Sequence, residues 1–510
     1  MPSKILSCGL KGIDGYGLEI EVDILNGLPR FTIVGLGDTA VQESKERVRS
    51  AIVNSGADFP RRRKIINLAP ADLKKSGPSF DLPMAIGLLV ASGQIPQEAV
   101  KEALFIGELA LDGSLRPTQG ILSVALFSEQ HPAQTLFVPE ANAYEAHMGS
   151  SLTIYPVSSL KQLILHLQGK QPLLPFRPAI PLDAKASQPD FSLLSSIGGL
   201  EKWIPSLAVT AAGGHHILMI GPPGSGKTLL AQCLPSLLPP LYREEQLELS
   251  QIYSIAGLLP SYQPLIQQRP FRSIHHTASI PALIGGGKPI RPGEISLAHR
   301  GVLFLDEVAE FPRALLETLR QPLEDRMINI SRASGSLQFP SHFTLAAAMN
   351  PCPCGYHGDP VRACHCSGSS IAYYSKKLSG PFLDRIDLRL KIPRLSFREL
   401  SKPSTLDFKK IYQSILRARA IQTKRFGNEL ILNSDMTPHQ VEQYCELDPL
   451  AEKFLHKLMD SAHLSGRAYS RLLKVSRTIA DINASPLIKK THLMEAACYR
   501  LNNSSNLVQA

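Results

Sequence analysis

The sequence of 510 residues has few of the features expected of a membrane protein or a secreted protein. It contains no run of about 18 apolar residues, which a membrane-spanning helix requires. Residues 1–11 lack the long apolar core of a signal peptide. Its 8 cysteines are too few and too unevenly placed for a disulfide framework. These absences predict a cytoplasmic protein with no membrane partner.

Aromatic residues are also scarce. They make up 6% of the chain, and Trp203 is the single tryptophan. A platform of rings stacked on nucleic-acid bases is therefore less favoured than contacts from Lys and Arg to a phosphate backbone. The net charge of +10 and the pI near 9.1 favour a polyanionic partner through counterion release. Charge by itself does not establish such a partner, since many basic proteins bind no polyanion.

The most informative segment is a glycine-rich loop between an apolar strand and a helix. Residues 217–220 predict a buried strand, and residues 229–234 predict the start of a helix. The phosphate-binding pattern G-x-x-x-x-G-K-[ST] lies between them and consists of Gly221, Pro222, Pro223, Gly224, Ser225, Gly226, Lys227 and Thr228. Backbone N–H groups at such a helix start point toward an anion. We predict a nucleotide site in which Lys227 reaches the β- and γ-phosphates and Thr228 binds magnesium.

Nucleotide hydrolysis also needs a metal-bound carboxylate and an oriented water. Residues 301–307 read Gly-Val-Leu-Phe-Leu-Asp-Glu and predict a strand buried on both faces. Asp306 then lies at the carboxyl end of the strand, where parallel sheets bind ligands, and we assign it to the magnesium shell and Glu307 to the attacking water. A second apolar strand, residues 343–349, ends before Asn350. The Asn350 amide would contact the γ-phosphate or the water; a turn-forming Asn before a proline is the alternative.

These residues resemble those of the AAA+ ATPases, and the match narrows to the magnesium-chelatase-like branch. Segments 201–228, 301–307 and 346–355 carry the likeness, and residues 1–500 as a whole resemble the ComM/YifB family. The resemblance implies ATP and magnesium as cofactors. It also implies a multidomain α/β fold: an amino-terminal α+β Lon-protease-like domain on the ribosomal S5 domain 2-like fold, an AAA+ P-loop core and a carboxyl-terminal helical lid.

The predicted domain boundaries combine local patterns with this resemblance. Residues 1–170 mix short alternating strands with a helix over 39–55, which favours an α+β domain. The prolines of residues 171–191 predict an extended linker. Residues 192–397 would form the ATPase core with helix-2 and pre-sensor-1 inserts, and residues 398–510 the lid. The lid helices are predicted at 407–425, 449–463, 467–482 and 488–501.

The amino-terminal domain is not expected to be a protease. Ser79 lines up with the nucleophile of the Lon serine loop, but Leu122 stands where the resemblance places the catalytic lysine. A serine without a base is a poor nucleophile at neutral pH. We interpret the domain as a scaffold for ring assembly or DNA contact. The basic run at residues 60–64 suits the second role, and a solvated loop is an equal alternative.

The resemblance also implies cations that act on the γ-phosphate. Segment 379–387 is similar to the arginine-finger segment, which makes Arg385 the candidate for completing the site of a neighbouring subunit. A surface arginine paired with a nearby aspartate is the alternative. Segment 466–475 resembles a sensor-2 helix, with Arg467 at the matching position and Arg471 one turn further on. A finger that acts between subunits implies a ring, and the family implies a homo-hexamer.

Two predicted hairpins resemble inserts that line the channel of ring-shaped DNA motors. Arg332 would contact DNA phosphate from the hairpin at residues 328–339, and Lys288 and Arg291 are weaker candidates from the earlier insert. Such contacts follow a strand, single or branched, without reading its sequence. Surface loops with ordinary cations are the alternative.

A cysteine cluster follows Asn350 directly. Four thiolates in so short a loop suit tetrahedral zinc: Cys352, Cys354, Cys364 and Cys366. His357 or His365 would be able to replace a thiolate. Free thiols or a redox pair remain alternatives.

Adenine recognition departs from the family pattern. His216 stands where the resemblance predicts an asparagine. The adenine contacts are therefore left open, whereas the phosphate chemistry is unaffected.

Together these features predict an ATP-dependent hexameric DNA motor. By resemblance, it would be a helicase that migrates the branches of recombination intermediates in natural transformation. One alternative is the ATPase subunit of a magnesium-chelatase-like metal-insertion complex. Another is a serine protease that uses Ser79, which Leu122 disfavours.

Overall fold

The structure is a computed structural model. It describes residues 2–131, 133–178, 189–260, 265–287, 290–332, 335–396, 399, 404–462 and 465–500.

A mixed sheet of seven strands forms the centre of the amino-terminal domain. The strands of this domain are β1 (Ser3–Lys11), β2 (Asp14–Leu25), β3 (Phe31–Val34), β4 (Arg63–Ala69), β5 (Ala103–Phe105), β6 (Glu108–Leu109), β7 (Leu115–Arg116), β8 (Thr135–Pro139) and β9 (Thr153–Val157). The order in the sheet is β3-β4-β2-β1-β5-β8-β9, while β6 and β7 form a separate pair. β1, β2 and β4 pair antiparallel, and β5, β8 and β9 pair parallel.

Five α-helices accompany this sheet in the described part of the domain. They are α1 (Thr39–Asn54), α2 (Asp81–Ala91), α3 (Ile121–Ser128), α4 (Ala143–Gly149) and α5 (Leu160–Leu167). α1 begins where Asp38 accepts a hydrogen bond from the N–H of Val41, a cap that satisfies a free donor of the first turn. Val41, Val48 and Ile52 are buried at helical spacing, so the amphipathic pattern predicted over 39–55 forms the helix.

A parallel sheet of five strands forms the centre of the next domain, called the central domain below. Its strands are β10 (Ile217–Ile220), β11 (Phe271–Ile274), β12 (Gly285–Gly286), β13 (Arg291–Pro292), β14 (Val302–Leu305), β15 (Met327–Arg332), β16 (Gly335–Pro340), β17 (Thr344–Met349) and β18 (Leu388–Lys391). The parallel order is β11-β14-β17-β10-β18, and β12–β13 and β15–β16 form two separate hairpins. Every residue of β14 and β17 is buried, as expected for strands covered on both faces.

The strand order places a ligand site at one edge of this sheet. After β10 the chain forms β11 at the edge of the sheet and then β14 and β17, which lie between β11 and β10. It then crosses to the other side of β10 and forms β18. The carboxyl end of β10 is therefore the switch point of the sheet, where open α/β sheets bind ligands. The helices around the sheet are α6 (Ser192–Ser195), α7 (Ile204–Gly213), α8 (Lys227–Leu237), α9 (Arg243–Ala256), α10 (Ile280–Ile284), α11 (Glu294–Leu297), α12 (Arg313–Thr318), α13 (Arg320–Asp325), α14 (Gly368–Ser375) and α15 (Gly380–Leu383).

The carboxyl-terminal part, called the lid below, is helical. Its helices are α16 (Phe408–Phe426), α17 (Pro438–Tyr444), α18 (Pro449–Ala462), α19 (Gly466–Ile482) and α20 (Lys490–Arg500). α19 is strongly amphipathic and buries Leu472, Leu473 and Ile479 in a core shared with α7 and β10 of the central domain. The lid and the strand that leads into the phosphate loop therefore share one hydrophobic core.

The amino-terminal domain packs directly on the central domain. Leu122 and Met148 form a small buried cluster with Leu265, and Arg243 of α9 donates a hydrogen bond of 3.1 Å to the carbonyl of Met148. Residues 171–178 follow the amino-terminal domain, where the N–H of Phe176 donates to Ile154 at 2.8 Å. None of the helices in the described residues is both long and apolar enough to cross a bilayer.

Candidate nucleotide-binding site

The glycine-rich loop joins the carboxyl end of β10 to the first residue of α8. Gly224 and Gly226 have φ angles of 76° and 86°, which glycine adopts without the steric cost of a Cβ. A Cβ added at Gly221 would lie 2.1 Å from the carbonyl oxygen of Ile392, so only glycine fits beside the end of β18. A Cβ at Gly224 would meet nothing within 4 Å, which leaves this side of the loop open for a ligand.

Lys227 is folded back over the loop. Its Nζ donates to the carbonyl oxygens of Gly221 at 2.8 Å and Pro222 at 2.9 Å, and lies 3.4 Å from Oδ1 of Asn350. Burial lowers the pKa of Lys227, an effect opposed by the charges of Asp306 and Glu307. An ammonium with neutral acceptors in a partly dry site gains from an added anion, because phosphate oxygens are stronger partners than carbonyls.

Asp306, the first of the two carboxylates predicted for hydrolysis, contacts Thr228. The Thr228 hydroxyl donates to Oδ2 of Asp306 at 2.9 Å, so both predicted magnesium ligands lie side by side. Glu307 follows with a φ of 50°, and its N–H donates to Oδ1 of Asp306 at 2.9 Å. A non-glycine residue in the left-handed region is uncommon and marks a constrained turn. This turn sets the direction in which the Glu307 carboxylate leaves the strand.

His276 is a neighbour of Glu307 that the sequence reasoning missed. Its Nδ1 lies 3.7 Å from Oε2 of Glu307. The residue follows β11, the strand beside β14, so it reaches the same edge of the sheet. A search for polar residues at the carboxyl ends of all parallel strands would have found it.

The residues present fit a nucleoside triphosphate with magnesium. The hydroxyl of Ser225 is buried and lacks a hydrogen-bond partner among the described residues. Buried polar atoms are normally paired, and a phosphate oxygen at the loop would supply the missing partner. Two left-handed glycines, the Lys227 ammonium and the Thr228–Asp306 pair surround the same place. The donors suit phosphate and the oxygens suit magnesium.

The predicted cysteine cluster forms in space. The ligand atoms of Cys352, Cys354, Cys364 and Cys366 lie within 4.8 Å of one another. The Sγ atom of Cys354 is 3.4 Å from that of Cys352 and 3.5 Å from that of Cys364. Four thiolates around a zinc ion with bonds of about 2.3 Å would be separated by about 3.8 Å. The sulfur positions therefore fit a tetrahedral metal ion.

Backbone N–H groups donate hydrogen bonds to sulfur atoms of the cluster. The N–H of His357 donates to the sulfur of Cys352 at 3.3 Å, and the N–H of Cys366 donates to Cys364 at 3.4 Å. A hydrogen bond from the N–H of Tyr356 lowers the pKa of Cys354 to about 6, whereas burial and the neighbouring sulfur atoms raise the pKa of Cys364 to about 12 against the N–H of Cys366. The imidazoles of His357 and His365 are not part of the group that shares the four sulfur atoms.

The cysteine loop touches the phosphate loop. A Cβ added at Gly355, whose φ is 85°, would lie 2.8 Å from Cδ of Pro223. The loop is also tied to the segment after β18, because Arg394 pairs with Asp359 at 2.8 Å and lies over the ring of Tyr356. A metal ion that holds this loop would hold one wall of the nucleotide site.

The candidate arginine finger lies inside its own chain. The Arg385 side chain is only 5% exposed, forms an ion pair with Glu324 and donates to the carbonyl of Pro381 at 2.6 Å. The alternative for Arg385, a surface arginine paired with a nearby aspartate, does not describe this buried side chain. Asp387 pairs instead with Arg471, whose Nη1 is 2.6 Å from Oδ1 of Asp387. Arg471 also donates to the backbone carbonyl of Arg385 at 2.9 Å.

Arg467, the sensor-2 candidate, is exposed in the first turn of α19. The pKa of Glu324 is lowered chiefly by its hydrogen bond with Arg385 and to a smaller extent by the charge of Arg467.

The structure locates the predicted DNA contacts in part. Arg291 is exposed at the start of β13. Arg332 is the last residue of β15, and its side chain lies outside the described residues, as does the whole of Lys288. The hairpin predicted over 328–339 is present as β15 and β16, paired from Met327–Pro340 to Arg332–Gly335.

The protease-like residues do not come together as a dyad with a lysine. Leu122 is fully buried in α3, where it packs against the central domain. Lys75, the lysine close to Ser79 in sequence, donates its Nζ to the carbonyl of Pro70. Ser79 itself is half-buried, and its carbonyl accepts a hydrogen bond of 2.9 Å from the N–H of Gly107.

His216 has a structural role. Its Nδ1 accepts a hydrogen bond of 3.1 Å from the N–H of Leu345 at the start of β17. Desolvation lowers the pKa of His216 to about 4, which keeps the ring neutral and able to accept this bond. The residue links two strands of the parallel sheet.

The parallel sheet, the phosphate loop at its switch point and the Asp306–Glu307 pair define a P-loop protein of the AAA+ class. Three family models match the chain: "Subunit ChlI of Mg-chelatase" over residues 20–142, "Magnesium chelatase, subunit ChlI" over 193–400, and "Magnesium chelatase, subunit ChlI C-terminal" over 407–500. The matches cover all three parts of the chain. They confirm the predicted magnesium-chelatase-like branch.

Two full-length relatives narrow this class further. The chain is 43% identical over 494 residues to the uncharacterized protein YifB of Escherichia coli (strain K12), with 96% of this chain and 95% of the relative covered. It is 41% identical over 497 residues to the competence protein ComM of Haemophilus influenzae, with the same coverage. The chain belongs to the ComM/YifB family, as its motifs predicted. Membership of this AAA+ family implies ATP and magnesium as ligands.

A weaker match agrees with the predicted Lon-like part of the fold. The chain is 24% identical over 193 residues to an archaeal Lon protease of Methanocaldococcus jannaschii, which covers 38% of this chain and 25% of the relative. The mixed sheet with its flanking helices fits a Lon-like α+β fold. The predicted fold class is thereby confirmed.

Proposed function

We propose that the protein is a hexameric, ATP-driven DNA motor of the cytoplasm that migrates branches of recombination intermediates in natural transformation. The arrangement of Lys227, Thr228, Asp306 and Glu307 at one edge of the sheet carries the enzymatic part of the proposal. The 41% identity to a competence protein along 96% of this chain supports the role in transformation. The net charge of +10 supports a polyanionic partner.

We assign one role to each residue of this site. ATP bound with magnesium supplies the phosphoanhydride bond that is cleaved. Lys227 neutralises phosphate charge, Thr228 and Asp306 hold the metal, and Glu307 orients the attacking water. Asn350, within reach of Lys227, contacts the γ-phosphate or the water. In the ring, Arg385 and Arg467 supply positive charge to the γ-phosphate, with Arg385 acting on the site of the adjacent subunit.

The motor part of the proposal assigns the hairpins to DNA. Arg332 contacts the phosphate backbone from β15–β16, and Lys288 and Arg291 add weaker contacts from the earlier insert. The four cysteines hold zinc beside the phosphate loop, and their sulfur geometry supports this. The domains divide at residues 1–170, 171–191, 192–397 and 398–510.

The decisive experiment measures ATP hydrolysis and branch migration together. We expect DNA with forked or four-way branches to stimulate phosphate release by the purified protein and to be displaced in an ATP-dependent reaction. Lys227→Ala should prevent nucleotide binding, whereas Glu307→Gln should bind ATP and form rings yet lower turnover by about 100-fold or more. Monomeric protein that neither consumes ATP nor displaces DNA would refute the proposal.

A second candidate is the ATPase subunit of a metal-insertion complex. The family models named for the chelatase subunit favour it. The same assays separate the two functions. Turnover that is indifferent to DNA, together with recovery of chelatase subunits from a pull-down, would support metal insertion.

A further inference from the structure

Glu324 connects two parts of the central domain that the proposed motor must coordinate. It lies in α13, and β15 of the proposed DNA hairpin begins after the next two residues, at Met327. Its carboxylate forms the ion pair with Arg385, the candidate arginine finger. The Glu324 side chain is 49% exposed, whereas that of Arg385 is 5% exposed. The carboxylate is therefore the solvent-facing partner of a buried cation.

Arg385 is held but not fully satisfied in this position. Its Nη1 donates to Pro381 and its Nη2 contacts Glu324, while its buried Nε has no hydrogen-bond partner among the described residues. A buried cation with incomplete partners is costly to keep. Phosphate charge on an adjacent protomer would compensate this cation better. Movement of Glu324 would therefore favour transfer of the guanidinium to that phosphate.

Ion pairs hold the short segment that joins α13 to β15 at the base of the hairpin. Arg326, with a φ of 57°, forms an ion pair with Asp435 of the lid, and its Nη1 lies 2.9 Å from Nε2 of His342. Glu324 fixes the preceding turn to Arg385. A load that pulls on β15–β16 therefore acts on a short segment with ion pairs to the lid and to the finger.

We propose that Glu324 is a positioning residue that couples the β15–β16 hairpin to Arg385. It holds the guanidinium inside its own protomer, and displacement of the hairpin by DNA moves the carboxylate and releases Arg385 toward the nucleotide of the neighbour. The proposal rests on the proposed function, because it needs a DNA load and an adjacent site. It makes the finger responsive to DNA on the same protomer.

The test compares steady-state ATP hydrolysis of the full-length protein with and without branched DNA. Glu324→Gln keeps the size of the side chain and removes its charge. We expect this change to raise the rate without DNA by about fivefold or more, to bring DNA stimulation close to none, and to leave KM for ATP unchanged. Glu317→Gln is the matched control. Glu317 lies in α12, the helix before α13, and also pairs with an arginine, Arg320, at 2.7 Å. The control should behave as the wild type.

A double variant shows whether the effect passes through the finger. In an Arg385→Ala background, Glu324→Gln should change neither rate, because the cation that it releases is absent. The coupling is overturned if Glu324→Gln leaves both rates at wild-type values or lowers the rate without DNA. It is equally overturned if the variant raises the rate as much in the Arg385→Ala background.

Failure of the proposed function has a different signature. Wild-type protein that hydrolyses ATP without any response to DNA would refute the DNA motor. The rates without DNA of the wild type, Glu324→Gln and the double variant would still decide whether Glu324 restrains Arg385.

Discussion

The carboxylate of Glu145, in the amino-terminal domain, accepts a hydrogen bond from the hydroxyl of Ser254 in helix α9 of the central domain. The same carboxylate accepts the N–H of Leu122 at 2.9 Å and the side-chain amide of Asn142 at 2.9 Å. The resemblance to Lon predicts the catalytic lysine at the position of Leu122. In this chain that position belongs to an interface between domains, which explains physically why a leucine suits it.

Removal of the Glu145 carboxylate is expected to loosen this interface. Glu145→Ala removes the acceptor of three hydrogen bonds, and each buried donor that stays unpaired costs about 1–3 kcal/mol of stability. Hydrogen–deuterium exchange should show faster exchange in α3 and α9, with the parallel sheet unaffected. Glu140→Ala, at an exposed position just before α4, is the control and should leave exchange unchanged. Equal protection of α3 and α9 in wild type and Glu145→Ala would contradict the role of this contact.

The same residue predicts how stability depends on pH. Burial raises the pKa of Glu145 above its usual value of 4.5, against the opposing hydrogen bonds from Ser254 and Asn142. The folded state therefore binds the proton more tightly than the unfolded state. The stability that this proton binding contributes is complete below about pH 4.5 and is lost as the pH rises through the folded pKa of Glu145. Glu145→Gln removes the titration. Thermal unfolding between pH 4 and 8 should show the variant gaining in midpoint over the wild type as the pH rises, and a constant difference would refute the prediction.

The local chemistry of the nucleotide site was predictable because neighbouring residues carry it. The phosphate loop, the Asp306–Glu307 pair and the four cysteines each occupy a short segment whose residue types specify the geometry. The strand that precedes each motif was also predictable, because a strand buried on both faces appears in the sequence as a continuous apolar run. Lys227, Thr228 and Asp306 meet because parallel strands end at one edge of the sheet.

The contacts between distant segments were not predictable in the same way. Ser254 meets Glu145 across 109 positions, and neither belongs to a motif. An aspartate partner for Arg385 was only the alternative to the finger, and the structure pairs Arg385 with Glu324 from α13 instead. These pairings depend on how the helices pack around the sheets, and local sequence patterns contain no information about that packing.

The pair of Asp387 with Arg471 predicts strong coupling between the lid and the central domain. Burial alone would raise the pKa of Asp387, but the charge of Arg471 and the hydrogen bond from His215 hold it well below its usual range. Asp387→Asn removes the charge that compensates Arg471, and we expect a loss of about 3 kcal/mol in the free energy of unfolding near pH 7. Urea denaturation would measure it. Asp460→Asn, at an exposed position of α18, is the control.

The sign of the pH effect checks this assignment. A carboxyl group with a lowered pKa contributes stability above its ordinary value, and the contribution is lost as the pH falls through the folded pKa. The difference between wild type and Asp387→Asn should therefore be constant from pH 5 to 8 and shrink only in stronger acid. A difference that disappears already at pH 6 would point to another titrating group.

Loss of one cysteine tests the metal site and its contact with the phosphate loop. Cys352 is fully buried within the cluster, and Gly355 of the same loop packs on Pro223. Cys352→Ser replaces a soft thiolate by a poor zinc ligand, so the purified variant should hold less than one zinc ion per chain by elemental analysis. Because the loop forms one wall of the nucleotide site, the variant should also bind ATP more weakly, by about tenfold. Cys498→Ser, at an exposed cysteine outside the cluster, should keep both the metal and the affinity. Wild-type protein that contains no zinc after purification without chelators would refute the metal site. A Cys352→Ser variant with unchanged ATP affinity would show that the cluster does not support the nucleotide site.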